Sequence, residues 1–517
     1  MANAITRLLF DPVDSDRESV PRRYQFDADN RWWTIAMGIG IAALAVGAAV
    51  GLAAGGNRFL FAYLVAWAFC VSVALGCMLF VMIQHLTKAR WSTTLRRIPE
   101  AVAANFPLLA LAGLPILFGI HGLYHWSHAD LYEVGGAHFD PVLAGKAGYF
   151  YFPFAAGTFP FFFVLRYVLF FGIWSVIGRK LYTLSVRNDA APSVETTLKL
   201  RWWSALGIPL TAVTLAFASY DWLMSTDPHW FSTMFGVYFF AGGWLGALCL
   251  ITFVALLLKK GGMVDQEITR EHLQDMGKFM FGFTVFWTYI AFSQYMLYWY
   301  ANLPEEIVWF QKRFTAGWGI VAWALFAFHF VLPFLILLPR ITKRTYPLLA
   351  TMCVWLLVMH WVDLWWIATP AMLPVEGQAT EHVESSRPDR PLLAQAQEVP
   401  LTTADPVIGD PVVAEPLESN PVIGDPPGGL PDVEGLQEDG FQTGATVPQA
   451  TGGMAPGQPA AAFNPVVIPP AVPIVEFMTW LGLFSLLFGV TLLRLARHAL
   501  TPYGDPYFAD ALRFQNV

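Results

Sequence analysis

The sequence predicts an all-α protein that crosses a membrane ten times, and three observations predict it. Of 517 residues, 56% are hydrophobic and only 13% charged, with a mean hydropathy of +0.49. Soluble domains carry about 25% charged residues, so roughly half the usual polar surface is missing. Ten apolar stretches recur, each near the ~20 residues a helix needs to cross a bilayer. Lysine and arginine alternate between the intervals that separate them. The runs are continuous rather than alternating in polarity, which points to helices and away from a β-barrel. A soluble enzyme, a disordered chain and a nucleic-acid binder are excluded on these grounds.

In chain order the predicted spans are 33–54, 59–86, 100–121, 152–178, 203–220, 230–258, 279–300, 316–339, 345–368 and 473–496. The fourth is interrupted by Pro153 and Pro160, and the fifth is the shortest. Five basic residues precede the first span (1–31), four follow the second (87–99) and five follow the fourth (179–201). Three follow the sixth (259–270), three the eighth (340–344) and three the tenth (494–517). That places 23 of the 31 on one side. The other side receives Arg58, Lys146, Lys312, Arg313, Arg387 and Arg390, while Arg166 and Lys278 fall within or at the edge of spans. Moving or dropping one span scrambles this alternation, so both termini are predicted to be cytoplasmic. The first thirty residues hold Asp11, Asp14 and Asp16 among arginines and no apolar core, which does not read as a cleaved signal peptide.

Between the ninth and tenth spans, 370–472 has a different chemistry. It holds 18 of the 36 prolines, 14 acids and 2 arginines, and repeats DPVIGDP (405–411) as NPVIGDP (420–426). Such a stretch cannot bury enough apolar surface to offset its chain entropy. It reads as an extracytoplasmic loop, either solvated or ordered by docking on partners. Cys70, Cys77, Cys249 and Cys353 all lie in apolar runs, with no CxxC, CxxCH or zinc spacing. The chain is therefore expected to carry no c-type haem, iron–sulfur cluster or metal of its own.

Ionisable residues inside a membrane are costly, by roughly 2.5–3.5 kcal/mol on insertion scales, and so mark functional candidates. His121, His125 and His128 fall at the outer end of span three, Asp221 at the end of span five, and Asp227 and His229 just beyond it. Span seven ends in Gln294, Tyr295 and further aromatics, then Glu305 and Glu306. Span nine carries His360 and Asp363 one turn apart among tryptophans. A quinone headgroup needs a hydrogen-bond partner at each oxygen, apolar walls, and a base with an outlet for protons. His121, His125, Asp221, Tyr295, His360 and Asp363 are the candidates for that pocket. Arg166, Lys278, Tyr289, Gln294, Glu305, Glu306 and His329 are the candidates for a proton path. Blander readings stand beside these. Terminal Tyr and Trp form interfacial belts, Glu305 and Glu306 are solvated loop acids, and Asp227 and His229 cap the next helix. His121 and His125, at i and i+4, share a face and bond each other or water, Lys278 snorkels, and Arg166 sits in a structural ion pair. Haem b between His121 and His329 or His360 has the residues but no paired pattern. A proton or solute transporter is the rival class. Phosphate loops, nucleophile elbows and HExxH motifs do not occur.

Four stretches together carry a family resemblance: SYDWLMSTDPHWFSTMFGVYFFAGGW (219–244), FSQYMLYWYANLPEE (292–306), HFVLPFLILLPR (329–340) and TPYGDPYFADALRFQN (501–516). They resemble the ActF-type membrane subunits of bacterial alternative complex III, within the NrfD/PsrC-like family of quinone-type membrane subunits. The resemblance covers nearly the whole chain apart from 370–472. It implies two four-helix bundles, 59–220 and 221–369, with flanking helices in 33–58 and 473–497 and cytoplasmic segments 1–32 and 498–517. It also implies an accessory, quinone-type role in a quinol:cytochrome c oxidoreductase of the bacterial inner membrane, with a contribution to proton movement. The quinone would be menaquinone or ubiquinone. Implied partners are an ActC-like sibling, the implied quinol oxidation site beside an iron–sulfur protein, then cytochrome c subunits holding the haems, the lipid bilayer and a terminal oxidase; direct quinol oxidation by this chain is the alternative.

Overall fold

The computed structural model describes residues 20–26, 31–53, 57–315, 317–372 and 473–515, apart from the side chains of Pro304 and Glu305. The chain divides into two compact units, residues 1–378 with 465–517, and residues 379–464. The second unit, and with it nearly all of the acidic insert expected at 370–472, lies outside the described residues, as does most of 1–32.

Within the first unit the regular structure of the described residues is all helix, with no strand among them. The helices are α1 (Trp32–Ala53), α2 (Asn57–Leu86), α3 (Arg97–Phe118), α4 (Pro141–Tyr151), α5 (Phe161–Ala190) and α6 (Val194–Trp222). They continue as α7 (Phe235–Lys260), α8 (Arg270–Ala301), α9 (Pro304–Phe314), α10 (Trp318–Leu337), α11 (Tyr346–Ala368), α12 (Ile474–Arg497) and α13 (Phe508–Leu512). Among the described residues nine helices are long and apolar enough to cross a membrane: α1, α2, α3, α5, α6, α7, α10, α11 and α12. The expected seventh span lies within α8, whose 32 residues extend about 48 Å at 1.5 Å per residue. Charged residues in its first turns and Gln, Tyr and Trp in its last make it less apolar than the nine.

Proline sets several boundaries. α3 is three short helices in series, and Pro107 and Pro115 each open a new one because proline supplies no N–H to the turn before it. The fourth span was expected at 152–178, but Pro153 and Pro160 keep the chain irregular until Phe161. α5 then continues to Ala190 as a charged extension that hydropathy does not register. α6, the helix of the fifth span, likewise starts nine residues before the expected 203 and reaches Trp222.

The helices contact one another in two cycles. In one, α2 meets α3, α3 meets α5, α5 meets α6 and α6 returns to α2; in the other, α7, α8, α10 and α11 follow the same order. The cycles join where α2 crosses α7. A methyl group on Gly243 would lie 2.7 Å from the Ser72 carbonyl oxygen, and one on Gly76 would meet the Gly243 backbone and the Ala247 methyl. Only hydrogen fits at both positions, which lets the backbones touch, as small residues do between membrane helices. α1 and α12 pair in the same manner through Gly40, Gly47, Gly482 and Gly489. All four cysteines are buried and free.

Candidate functional site

His360 and Asp363, three residues apart on α11, face the same side of the helix, toward α7, and both are buried. Asp363 accepts a hydrogen bond from the Tyr238 hydroxyl on α7 and another from Trp287 Nε1 on α8, at 3.2 Å. Among the described residues no lysine or arginine pairs with it. His360 Nε2 lies 2.9 Å from Ser72 Oγ on α2, and the Ser72 hydroxyl donates to the Phe69 carbonyl at 2.8 Å. With its one proton committed to that carbonyl, Ser72 accepts from His360, so Nε2 carries the imidazole hydrogen and Nδ1 is the basic nitrogen. Nδ1 has no partner among the described residues. It and Asp363 Oδ2 converge above Gly242, where a methyl would lie 2.7 Å from Nδ1 and 3.8 Å from Oδ2. A neutral imidazole and a carboxyl group therefore border one gap that exists because residue 242 is glycine.

His329 adds a second buried imidazole. It sits in a π-helical turn, Phe326–Val331, within α10; such turns recur at functional sites. Its ring lies 3.9 Å from that of Trp287, and neither ring nitrogen has a partner among the described residues.

Tyr238 and Trp287 also form the inner wall of a cavity of about 450 Å³. Its other walls are mostly aromatic, including Tyr295 on α8, Trp309 and Phe310 on α9 and Phe326 on α10, with Gln294 and Thr288 as polar points. Helix α9 closes one side and is fixed from two directions. Arg313, fully buried, donates to the Ile367 carbonyl (Nε, 3.1 Å) and to the Trp309 carbonyl (2.9 Å), with its guanidinium 3.5 Å over the Trp309 ring. Burial pulls its pKa down to about 9, against an opposing pull from Asp227. Lys312 reaches Asp227 at 3.1 Å, and Trp230 stacks on Trp309 at 4.2 Å.

The other helix cycle carries a different arrangement. Asp221 receives two bonds from Arg166, Nε to Oδ2 at 2.7 Å and Nη2 to Oδ1 at 2.9 Å, while Arg166 Nη1 donates to the Tyr149 carbonyl at 2.7 Å. This bidentate, buried pair holds its charge in place.

The predicted residues thus separate. Tyr295 and Gln294 line the cavity, Asp363 and His329 each touch its wall residue Trp287, and His360 lies one turn from Asp363 on α11. Asp221 and Arg166 neutralise each other in the other cycle. His121 and His125 do not share a helical face, because the helix ends at Leu123 and His125 opens a 3-10 turn. They sit instead in an outer loop, His121 Nδ1 3.1 Å from Ser127 Oγ and the His125 ring 6.3 Å from that of His229. Asp227 and His229 are not caps, since α7 begins after Met234; Asp227 pairs with Lys312, and His229 with Asp140 at 2.5 Å. Lys278 pairs with Asp275 at 2.8 Å beside a separate groove, and Tyr289 projects outward, 64% exposed. Glu306 is on α9; the side chain of Glu305 lies outside the described residues.

Sequence reasoning missed Tyr238, Trp287, Ser72, Gly242 and Arg313. The first four lie in the interiors of long helices where no local pattern marks them, and only the folded arrangement brings Tyr238 and Trp287 to Asp363, Ser72 to His360 and Gly242 beneath both. Arg313 reads in the sequence as a cation of the interval between two spans, yet it is buried. No protein-family model and no curated protein matches this chain.

Proposed function

We propose that this chain is an ActF-type, NrfD/PsrC-like membrane subunit of a respiratory quinol:electron-acceptor oxidoreductase of the alternative complex III class, and that its α7–α11 region holds a quinone headgroup. In this reading α8 is the seventh span and completes the ten, the two helix cycles are the four-helix bundles 59–220 and 221–369, and α1 and α12 flank them. Both termini face the cytoplasm, and 370–472 lies on the outer side of the bacterial inner membrane. Haems and iron–sulfur clusters belong to partner subunits.

The observation that carries the reading is the aromatic cavity ending on Tyr238 and Trp287, with Asp363 behind them. Its volume falls in the range of small-molecule sites, with apolar walls and few polar groups. Quinol oxidation gives up two electrons and two protons. The electrons pass to the centres of the partners; Asp363 takes one proton by way of Tyr238, and His360 Nδ1 is the second base. Asp221 was an equal candidate for this role, but its carboxylate is neutralised by Arg166 whereas Asp363 faces only neutral donors.

A photoreactive quinone analogue on the intact complex tests this. Label is expected on peptides within 287–326, and Ala291→Trp, which fills the cavity, should abolish it. Asp363→Asn should leave labelling intact and slow proton release on quinol oxidation at least tenfold. Asp221→Asn should instead lower the unfolding temperature, since an unpaired buried Arg166 costs about 3–5 kcal/mol. Label confined to other subunits, or indifferent to Ala291→Trp, overturns the proposal.

A further inference from the structure

A second cavity of about 450 Å³ lies at the outer end of α6, between α4 and the 224–231 segment. It opens beside α6 rather than among α7, α8, α10 and α11, and it meets the first cavity only at Trp230, whose ring stacks on the Trp309 wall. α4 supplies its floor through Gly145 and Gly148, at neither of which would an added methyl meet anything within 4 Å. Two donors with spare capacity stand in its wall. Lys146 Nζ spends one N–H on the Pro228 carbonyl at 2.7 Å, which leaves two. Trp230 is 4% exposed, and its Nε1–H has no partner among the described residues. Burial pulls the Lys146 pKa down, with Asp140 partly opposing it, so the ammonium gains from a nearby anion. The rim has another character: Phe217 is 42% exposed and Phe231 62%, both apolar rings bordering the same space.

We infer that this cavity is a binding site for an anionic phospholipid, its phosphate on Lys146 and Trp230 and one acyl chain along Phe217 and Phe231. A lysine acts on phosphate as a compact point charge. The position at a helix end matches headgroup depth, and the exposed phenylalanines continue the apolar surface of α6 toward the lipid. A free inorganic anion would use the two donors but has no use for the aromatic rim, and a neutral lipid would have no use for the lysine. A lipid seated here would brace Tyr149, whose carbonyl holds Arg166 against Asp221.

The full-length chain, delipidated and placed in nanodiscs of phosphatidylcholine with trace phosphatidylglycerol, provides the test, read by native mass spectrometry and by unfolding temperature. One phosphatidylglycerol per chain should be retained and should raise the unfolding temperature. Lys146→Gln should cut retention about fivefold, the worth of one lysine near a charged surface. Lys146→Arg should keep most of it, and Gly148→Leu should exclude the lipid by filling the floor while Lys146 remains. Equal retention in Lys146→Gln, or retention untouched by Gly148→Leu, overturns the site. Inorganic phosphate alone reproducing the thermal shift would make it a free-anion site, and equal retention of phosphatidylcholine would make it a non-selective lipid groove; either overturns the inference as stated. Should Lys146→Gln fail to fold, Lys146→Arg and Gly148→Leu decide it.

Discussion

Asp140 has two tasks at the start of α4. As N-cap its Oδ1 accepts the Val142 and Leu143 amides at 2.9 and 3.1 Å, and its Oδ2 meets His229. Burial raises its pKa, but the bond from His229 and the two amides outweigh that and hold the carboxyl below the usual range. A carboxylate depressed in the folded state contributes stability at pH values above its unfolded pKa, and that stability is lost as pH falls through the folded value. Asp140→Ala should therefore cost about 1 kcal/mol at neutral pH, and its gap from the native chain should narrow below about pH 4. Thermal unfolding of both proteins across pH 3–7 checks this; a gap constant into acid would mean the neutral cap alone matters. At this scale the sequence was only partly legible. Asp221 and Asp363 look alike in one dimension, each near the end of an apolar helix among aromatics. What divides them is an arginine 55 residues upstream of Asp221 that folding brings to 2.7 Å, and no local pattern encodes that.

Helices are where the sequence speaks most clearly, because a continuous apolar run of about 20 residues has few alternatives in a bilayer. Their ends are less legible: α5 and α6 extend into charged turns that continue the hydrogen-bond ladder beyond the apolar limit. Their partners are less legible still. The α2–α7 crossing depends on Gly76 and Gly243, two glycines among many. At Gly243 a methyl would lie 2.7 Å from the Ser72 carbonyl oxygen and 2.9 Å from its Cβ, atoms that cannot yield without moving the helix. Gly243→Ala should thus destabilise by about 1–3 kcal/mol, the usual range for overpacking. Since Ser72 anchors His360, it should also weaken labelling by the quinone analogue. Gly282→Ala, on α8, is the matched control, as a methyl there meets nothing within 4 Å. It should be neutral or gain up to about 1 kcal/mol from helix propensity. Unfolding temperatures for the pair decide the matter: equal values would remove the crossing from the account of stability.

Across the whole molecule the charge of −7 is unevenly placed. Residues 370–472 contribute −12, so the rest of the chain carries +5, with its basic residues gathered in alternate intervals. In the proposed ten-span reading, orientation would follow from that asymmetry and from the parity of the spans, and it would fix which end of the bundle the proposed quinone cavity occupies. Thiol labelling can measure it, because the four native cysteines are 0–1% exposed and should give little background. Two exposed positions lie in intervals of opposite charge character: Val134, 89% exposed between α3 and α4, and Glu195, with a 74% exposed side chain, at the start of α6. In intact spheroplasts a membrane-impermeant maleimide should label Val134→Cys and spare Glu195→Cys until detergent is added. The reverse pattern would invert the protein and put Asp363 toward the cytoplasmic half. Labelling of both from outside would mean that the intervening α5 does not cross at all, and the ten-span parity would fall with it.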